Sequence, residues 1–136
     1  GTYGCLTGRL MADIFVFGSN LQGRHGKGAA KEAVKFWGAV YGISEGRQGN
    51  SYAIPTKSSP YQTLPLHRIA AAVDRFIDYA EEHFWEAFIL TEIGCGLAGY
   101  TPEEIAPLFE CAPSNVQLPQ SFIKVLDGDT KEGSVC

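Results

Sequence analysis

No run in this chain approaches the roughly 20 consecutive apolar residues that a bilayer-crossing helix requires, and the N-terminus lacks a charged region followed by an apolar stretch and a small-residue cleavage site. A soluble, cytoplasmic protein with no membrane partner is the expectation. Basic charge is also scarce. With 15 acidic residues against 11 basic ones and a net charge of -4, there is no general footprint for a nucleic-acid polymer. The four cysteines (Cys5, Cys95, Cys111 and Cys136) have no CxxC spacing, and His25, His67 and His83 have no metal-ligand spacing. Neither a zinc site nor a disulfide framework is suggested, and reduced thiols fit. No metal or cofactor is expected. The chain also contains no internal repeat, no glycine-lysine-serine/threonine phosphate loop and no dinucleotide fingerprint.

What is present is a supply of apolar side chains, 45% of 136 residues, sufficient for one compact domain with its own core. Residues 1–10 lack periodicity and read as a disordered or cloning-derived extension before a natural start at Met11. Residues 11–127 read as the domain and 128–136 as a flexible tail. Within the domain, "DIFVFG" (13–18), "NSYAIPT" (50–56), "AFILT" (87–91) and "SFIKVL" (121–126) read as strands. Gly28 to Trp37 reads as a helix, its alanines suited to close packing on a sheet. The stretch 64–84 is the clearest helix, since Leu66, Ile69, Ala70, Val73, Phe76, Ile77, Ala80 and Phe84 repeat at intervals of three and four. A further helix is predicted at "TPEEIAPLF", with Thr101 as N-cap, Pro102 at the first helical position and Glu104 completing a capping box. Pro107 should shorten or kink it. Strands alternating with helices give an α/β class, three layers around a mixed, partly parallel sheet.

Two strands end in glycine-rich turns that lead into helices, "FGSNLQGRHGKGAA" and "TEIGCGLAGYTPEE". Ligands of open α/β sheets sit beyond the carboxyl ends of the strands. Glycines let backbone N–H groups approach an anion, and helix N-termini add oriented dipoles. Each loop alone could be nothing more than a tight turn; two at matching strand ends suit a diphosphate. Arg24, His25, Lys27 and Lys31 gather positive charge around the first loop without an intervening acid before Glu32.

The pieces "FVFGSN", "GRHGKGAA", "YAIPTK" and "IGCGLAGYTPEEI", in this order, resemble the macrodomain superfamily of ADP-ribose-binding modules over about residues 13–126. The most similar branch hydrolyses ADP-ribosyl bonds to acidic residues, and the whole chain is also similar to small phage-encoded macro-like proteins of unknown role. The resemblance implies that Gly18 and Ser19 lie against a nucleotide, with Asn20 near its distal ribose. It sets Gly26, Lys27, Gly28 and Ala29 in a first phosphate loop, and Gly94, Cys95, Gly96, Leu97, Ala98 and Gly99 in a second, with Tyr100 close behind. Lys57 falls where that branch keeps a lysine able to attack the anomeric carbon; read without the resemblance, it is an exposed lysine ending a strand. As a nucleophile it would have to be substantially neutral. The branch pairs its lysine with an acid in the second loop, and here that place holds Ala98. The usual adenine-reading aspartate before the first strand has no clear equivalent. Cys95 reads as a loop thiol beneath the phosphates.

Three readings of function remain open from sequence. The first is binding of ADP-ribose or a related nucleotide diphosphate, with hydrolysis of an ADP-ribosyl bond by Lys57 and Asn20. The second is a non-catalytic module that binds or sequesters such a metabolite. The third, resting on "FGSN", is a nucleoside monophosphate phosphoribohydrolase-like enzyme. Oligomeric state is not encoded in any of these features.

Overall fold

A computed structural model describes residues 12–129; the expectations for residues 1–10, for Met11 as a start and for residues 130–136 lie outside the described residues. The first strand, β1 (Asp13–Asn20), is the centre of the sheet. It pairs in parallel with β3 (Ser51–Ser59) on one side and β5 (Ala87–Leu90) on the other. Beyond β3 lies β2 (Gly46–Gln48), antiparallel to it, and β4 (Gln62–Thr63) folds back on β3 as a short hairpin. Beyond β5 lies β6 (Val116–Gln117), in parallel. The result is a six-stranded mixed sheet.

Alternation along the central strands sorts side chains between two layers. Ile14 and Val16 of β1 with Tyr52 and Ile54 of β3 point into the larger core, while Phe15 and Phe17 with Ala53 point into the smaller one. The smaller layer is closed by α1 (Gly28–Phe36), whose buried faces are only Ala30 and Ala33. Small side chains let that helix lie close to the sheet, and Trp37 stacks on Phe15 with ring centroids 5.1 Å apart. The larger layer is closed by α2 (Leu66–Glu82), which buries Ile69, Ala72, Val73, Phe76, Ile77 and Ala80. Phe76 meets Tyr52, Phe88 and Phe109 edge-on, and burying a side chain of this size contributes roughly 1.5–3 kcal/mol. Phe84, expected on the same stripe, lies past the end of α2 and is 72% exposed.

Residues 102–109 begin as α3 (Pro102–Ile105) behind the Thr101–Glu104 capping box and tighten to a 3-10 turn over Ala106–Phe109. This is the shortening that Pro107 predicts. The stretch 121–126 is not a strand: it belongs to α4 (Gln120–Asp129). A six-residue apolar run does not distinguish the two states by period alone. Here Phe122, Val125 and Leu126, spaced by three and four, pack on the larger core, and the Pro119 carbonyl accepts the Phe122 and Ile123 amides to start the helix. The expected last strand is replaced by Val116–Gln117, too short to register in a pattern, and α4 runs two residues into the expected tail. Of the cysteines in the described region, Cys95 is a free thiol. No described helix is long and apolar enough to cross a membrane.

The short edge strand β2 is held by a partly buried ion pair. Arg47 donates both terminal nitrogens to Glu86, at 2.8 and 2.9 Å, and also donates to the Tyr79 hydroxyl at 3.0 Å. Glu86 is 8% exposed, so removal of its partner would strand a carboxylate away from water. Arg47→Met is expected to lower stability by about 3 kcal/mol, read from urea unfolding midpoints, and adding Glu86→Gln should restore part of that loss.

Candidate functional site

The parallel arrangement brings the carboxyl ends of β3, β1 and β5 to one edge of the sheet, and a cavity of about 540 Å³ opens there. Its floor comes from Gly18, Ser19, Asn20, Thr56 and Thr91 at the strand ends. Gly26, Lys27, Gly28, Ala29 and Ala30 form one wall, Gly94, Gly96, Leu97 and Ala98 another. Lys57 lines it from the end of β3, with Pro60 and Tyr61 of the β3–β4 hairpin.

The first wall is shaped by Asn20, which is 7% exposed. Its side-chain oxygen accepts the Gln22 and Arg24 amides at 3.1 and 3.0 Å, and its nitrogen donates to the Arg24 carbonyl at 2.9 Å. One amide side chain thus replaces the backbone pairing that β1 loses as it ends, and it fixes the path of residues 20–24. Gly23 follows in the left-handed region at φ +69°, and a Cβ there would lie 2.3 Å from the Gly42 carbonyl carbon. The 38–45 loop is pressed against this turn: Gly42 N–H donates to Gly23 O, Ser19 Oγ donates to Ser44 O, and the His25 ring meets Ile43 O through Nε2 at 3.0 Å. His25 is buried, packed edge-on against Phe17 and Tyr41. It therefore braces the loop, and the positive charge facing the cavity comes from Arg24 and Lys27. The chain then enters α1 with Lys27 as an N-cap that makes no side-chain cap, so the first-turn amides are left open on the cavity side.

The second wall is shaped from beneath. Gly94, at φ +75°, passes so close to α3 that a Cβ would come within 2.9 Å of Ile105. Tyr100 N–H donates to Gly94 O and Gly99 N–H to Gly96 O, closing the loop on itself. The amides of Gly96, Leu97 and Ala98 have no hydrogen-bond partner among the described residues. Thr63 Oγ1 donates to Ala98 O at 2.8 Å, tying this loop to the β3–β4 hairpin. Open amides from two walls thus lie along one cavity whose lining carries Arg24, Lys27 and Lys57, an arrangement suited to an anion.

Most residues singled out from sequence are brought together here. Gly18, Ser19, Asn20, Gly26, Lys27, Gly28, Ala29, Lys57, Gly94, Gly96, Leu97 and Ala98 line the cavity; Cys95, Gly99 and Tyr100 do not. Tyr100 turns away to donate its hydroxyl to Leu64 O and packs on the larger core, as Cys95 does. Lys57 Nζ donates to Pro60 O at 2.6 Å. Asn20 spends its side chain on the turn rather than presenting it freely. Arg24, Tyr41, Thr56, Pro60, Tyr61, Thr91, Glu92 and Ile93 also line the cavity and were not singled out as ligand contacts from sequence. For Arg24 a signal existed in the basic cluster around the first loop. Tyr41 and Tyr61 reach the cavity only through tertiary folding of two loops.

No protein-family model matches this chain, and no curated protein matches it either. Among solved structures, the chain is similar to "Thermosipho africanus DarTG in complex with ADP-ribose", with 17% identity and a TM-score of 0.61, over 80% of this chain and 36% of that one. It is likewise similar to "Alphavirus P23pro-zbd", with 17% identity and a TM-score of 0.60, over 93% of this chain and 22% of that one. The chain thus spans about a third of the first and less than a quarter of the second. The fold is macrodomain-like.

Burial pushes the Cys95 thiol up to about 11, with the charges of Glu92, Glu103 and Glu104 adding to the shift. The thiolate is the reactive form, so Cys95 should be an unreactive cysteine. Alkylation by iodoacetamide at pH 8, followed on the Cys95 peptide by mass spectrometry, is expected to run roughly a hundredfold slower than for an unperturbed thiol, and to accelerate as pH rises toward 11.

Proposed function

We propose that the protein binds ADP-ribose or a closely related nucleotide diphosphate metabolite in the cavity between its two glycine-rich loops. The observation that carries this reading is the pair of walls with open backbone amides, at the α1 N-terminus and at Gly96–Ala98, on a single cavity lined by Arg24, Lys27 and Lys57. A diphosphate carries two negative charges and several acceptor oxygens, and it can satisfy amides from both walls at once. The cavity volume of about 540 Å³ lies in the range of sites that enclose small molecules. The structure of the similar DarTG chain is a complex with ADP-ribose, which supports the same ligand class for this fold.

Turnover is a separate matter, and three observations favour binding without it. Hydrolysis by Lys57 would call for a free amine close to the sugar and an acid to handle protons. Lys57 Nζ donates to the Pro60 carbonyl, the second loop carries Ala98, and Glu92, the only acid lining the cavity among the described residues, accepts a hydrogen bond from Ser121 through Oε2. A module that recognises or sequesters the metabolite fits these contacts better than a lysine-acid hydrolase.

Calorimetry with ADP-ribose, AMP, ribose 5-phosphate and NAD tests the reading. ADP-ribose should bind most tightly, at micromolar affinity, because AMP and ribose 5-phosphate lack a diphosphate to span both walls and NAD carries an added nicotinamide on its distal ribose. In Gly96→Glu the new Cβ meets nothing within 4 Å, so the melting temperature should hold while ADP-ribose affinity falls by at least about tenfold. No binding of any of the four by folded wild-type protein would sink the proposal. A peptide ADP-ribosylated on a glutamate should remain uncleaved; cleavage that Lys57→Ala abolishes would instead install the hydrolase reading.

A further inference from the structure

The cavity is sorted by charge. Its cations, Arg24, Lys27 and Lys57, come from the first wall and from β3. Among the described residues its one acid, Glu92, stands past the end of β5, on the opposite side of the central strand β1. With neighbouring strands about 4.8 Å apart, the β3 and β5 edges of the cavity are separated by roughly 10 Å. Glu92 is also drawn outward: Ser121, near the start of α4, donates its hydroxyl to Glu92 Oε2. None of the three cavity cations is paired with Glu92. Glu92 lines the cavity, and its second oxygen, Oε1, makes no hydrogen bond with any described residue.

An ionised carboxylate accepts hydrogen bonds and does not donate them. It therefore attracts a neutral group rich in N–H or O–H donors and repels a further anion. We infer that Glu92, positioned by Ser121, is a specificity-determining residue of this cavity: it accepts hydrogen bonds from a neutral donor group at one end of the ligand and turns away ligands that carry an additional phosphate there. The inference rests on the nucleotide diphosphate reading and adds a direction to it, with the diphosphate toward the cationic side and the donor group toward β5. The donor chemistry has two sources in such a ligand, the exocyclic amine of a base and the vicinal hydroxyls of a ribose. Both place hydrogens where Oε1 can receive them.

The test is a comparison of ratios. Wild-type protein and Glu92→Gln are titrated with ADP-ribose, with its inosine analogue, in which a carbonyl replaces the amine, and with ADP-ribose phosphorylated on either ribose. Wild-type protein should prefer ADP-ribose over at least one analogue by about tenfold or more, and Glu92→Gln should bring that ratio close to unity. Collapse of the inosine ratio identifies the amine; collapse of a phosphorylated-ribose ratio identifies hydroxyls. Ser121→Ala should weaken the same preference with an unchanged melting temperature, because the carboxylate loses its anchor but keeps its charge. Equal ratios in wild type and Glu92→Gln, with ADP-ribose still bound, overturn this inference and leave the diphosphate site standing. Failure of folded wild-type protein to bind ADP-ribose at all removes both.

Discussion

The constraint on which this structure depends is the parallel pairing of β1 with both of its neighbours. Parallel strands end at the same edge, so β3, β1 and β5 deliver Lys57, Asn20 and the Thr91–Glu92 corner to one rim without any loop having to reach for it. The two-sided burial of β1 enforces that arrangement. Ile14 and Val16 commit one face to the α2 layer while Phe15 and Phe17 commit the other to α1. A slip of one residue would exchange the two sets between cores of very different size.

On that frame the two walls are built by different means. The first is held from within by a buried amide side chain and by the 38–45 loop packed against it, with His25 as the peg between them. The second is held from below, by the close passage of Gly94 over Ile105 and by the capping box that starts α3. Both place residues whose amides have no hydrogen-bond partner among the described residues along the same cavity. Many of the side chains are consumed by bracing, and under the proposed reading an anion would be met largely by the backbone and a few long cations.

Sequence patterns carried the architecture well where elements were long and periodic. The α2 stripe, the capping box at Thr101 and the two glycine loops were all legible, because each rests on local spacing or local backbone chemistry. Elements of two or three residues, β2, β4 and β6, were not, since they exist only through pairing with β3 or β5. The stretch 121–126 was misread as a strand because its short apolar run fits either period; its packing against Phe109 decided for helix. The same division holds at the cavity. Glycines of both loops could be named, but the outward pull on Glu92 comes from Ser121, 29 residues away in sequence. The inward turn of Cys95 and Tyr100 likewise depends on how the loop sits over the larger core.

The Thr63–Ala98 hydrogen bond divides the rim into a frame and an ornament. Thr63 of β4 is stitched to the second loop, whereas the hairpin tip at Tyr61, 92% exposed, hangs outside the stitch. Length and composition at that tip can drift without disturbing the floor beneath. A substitution or insertion at the tip would thereby reshape the mouth of the cavity while leaving the strand ends that form its floor in place.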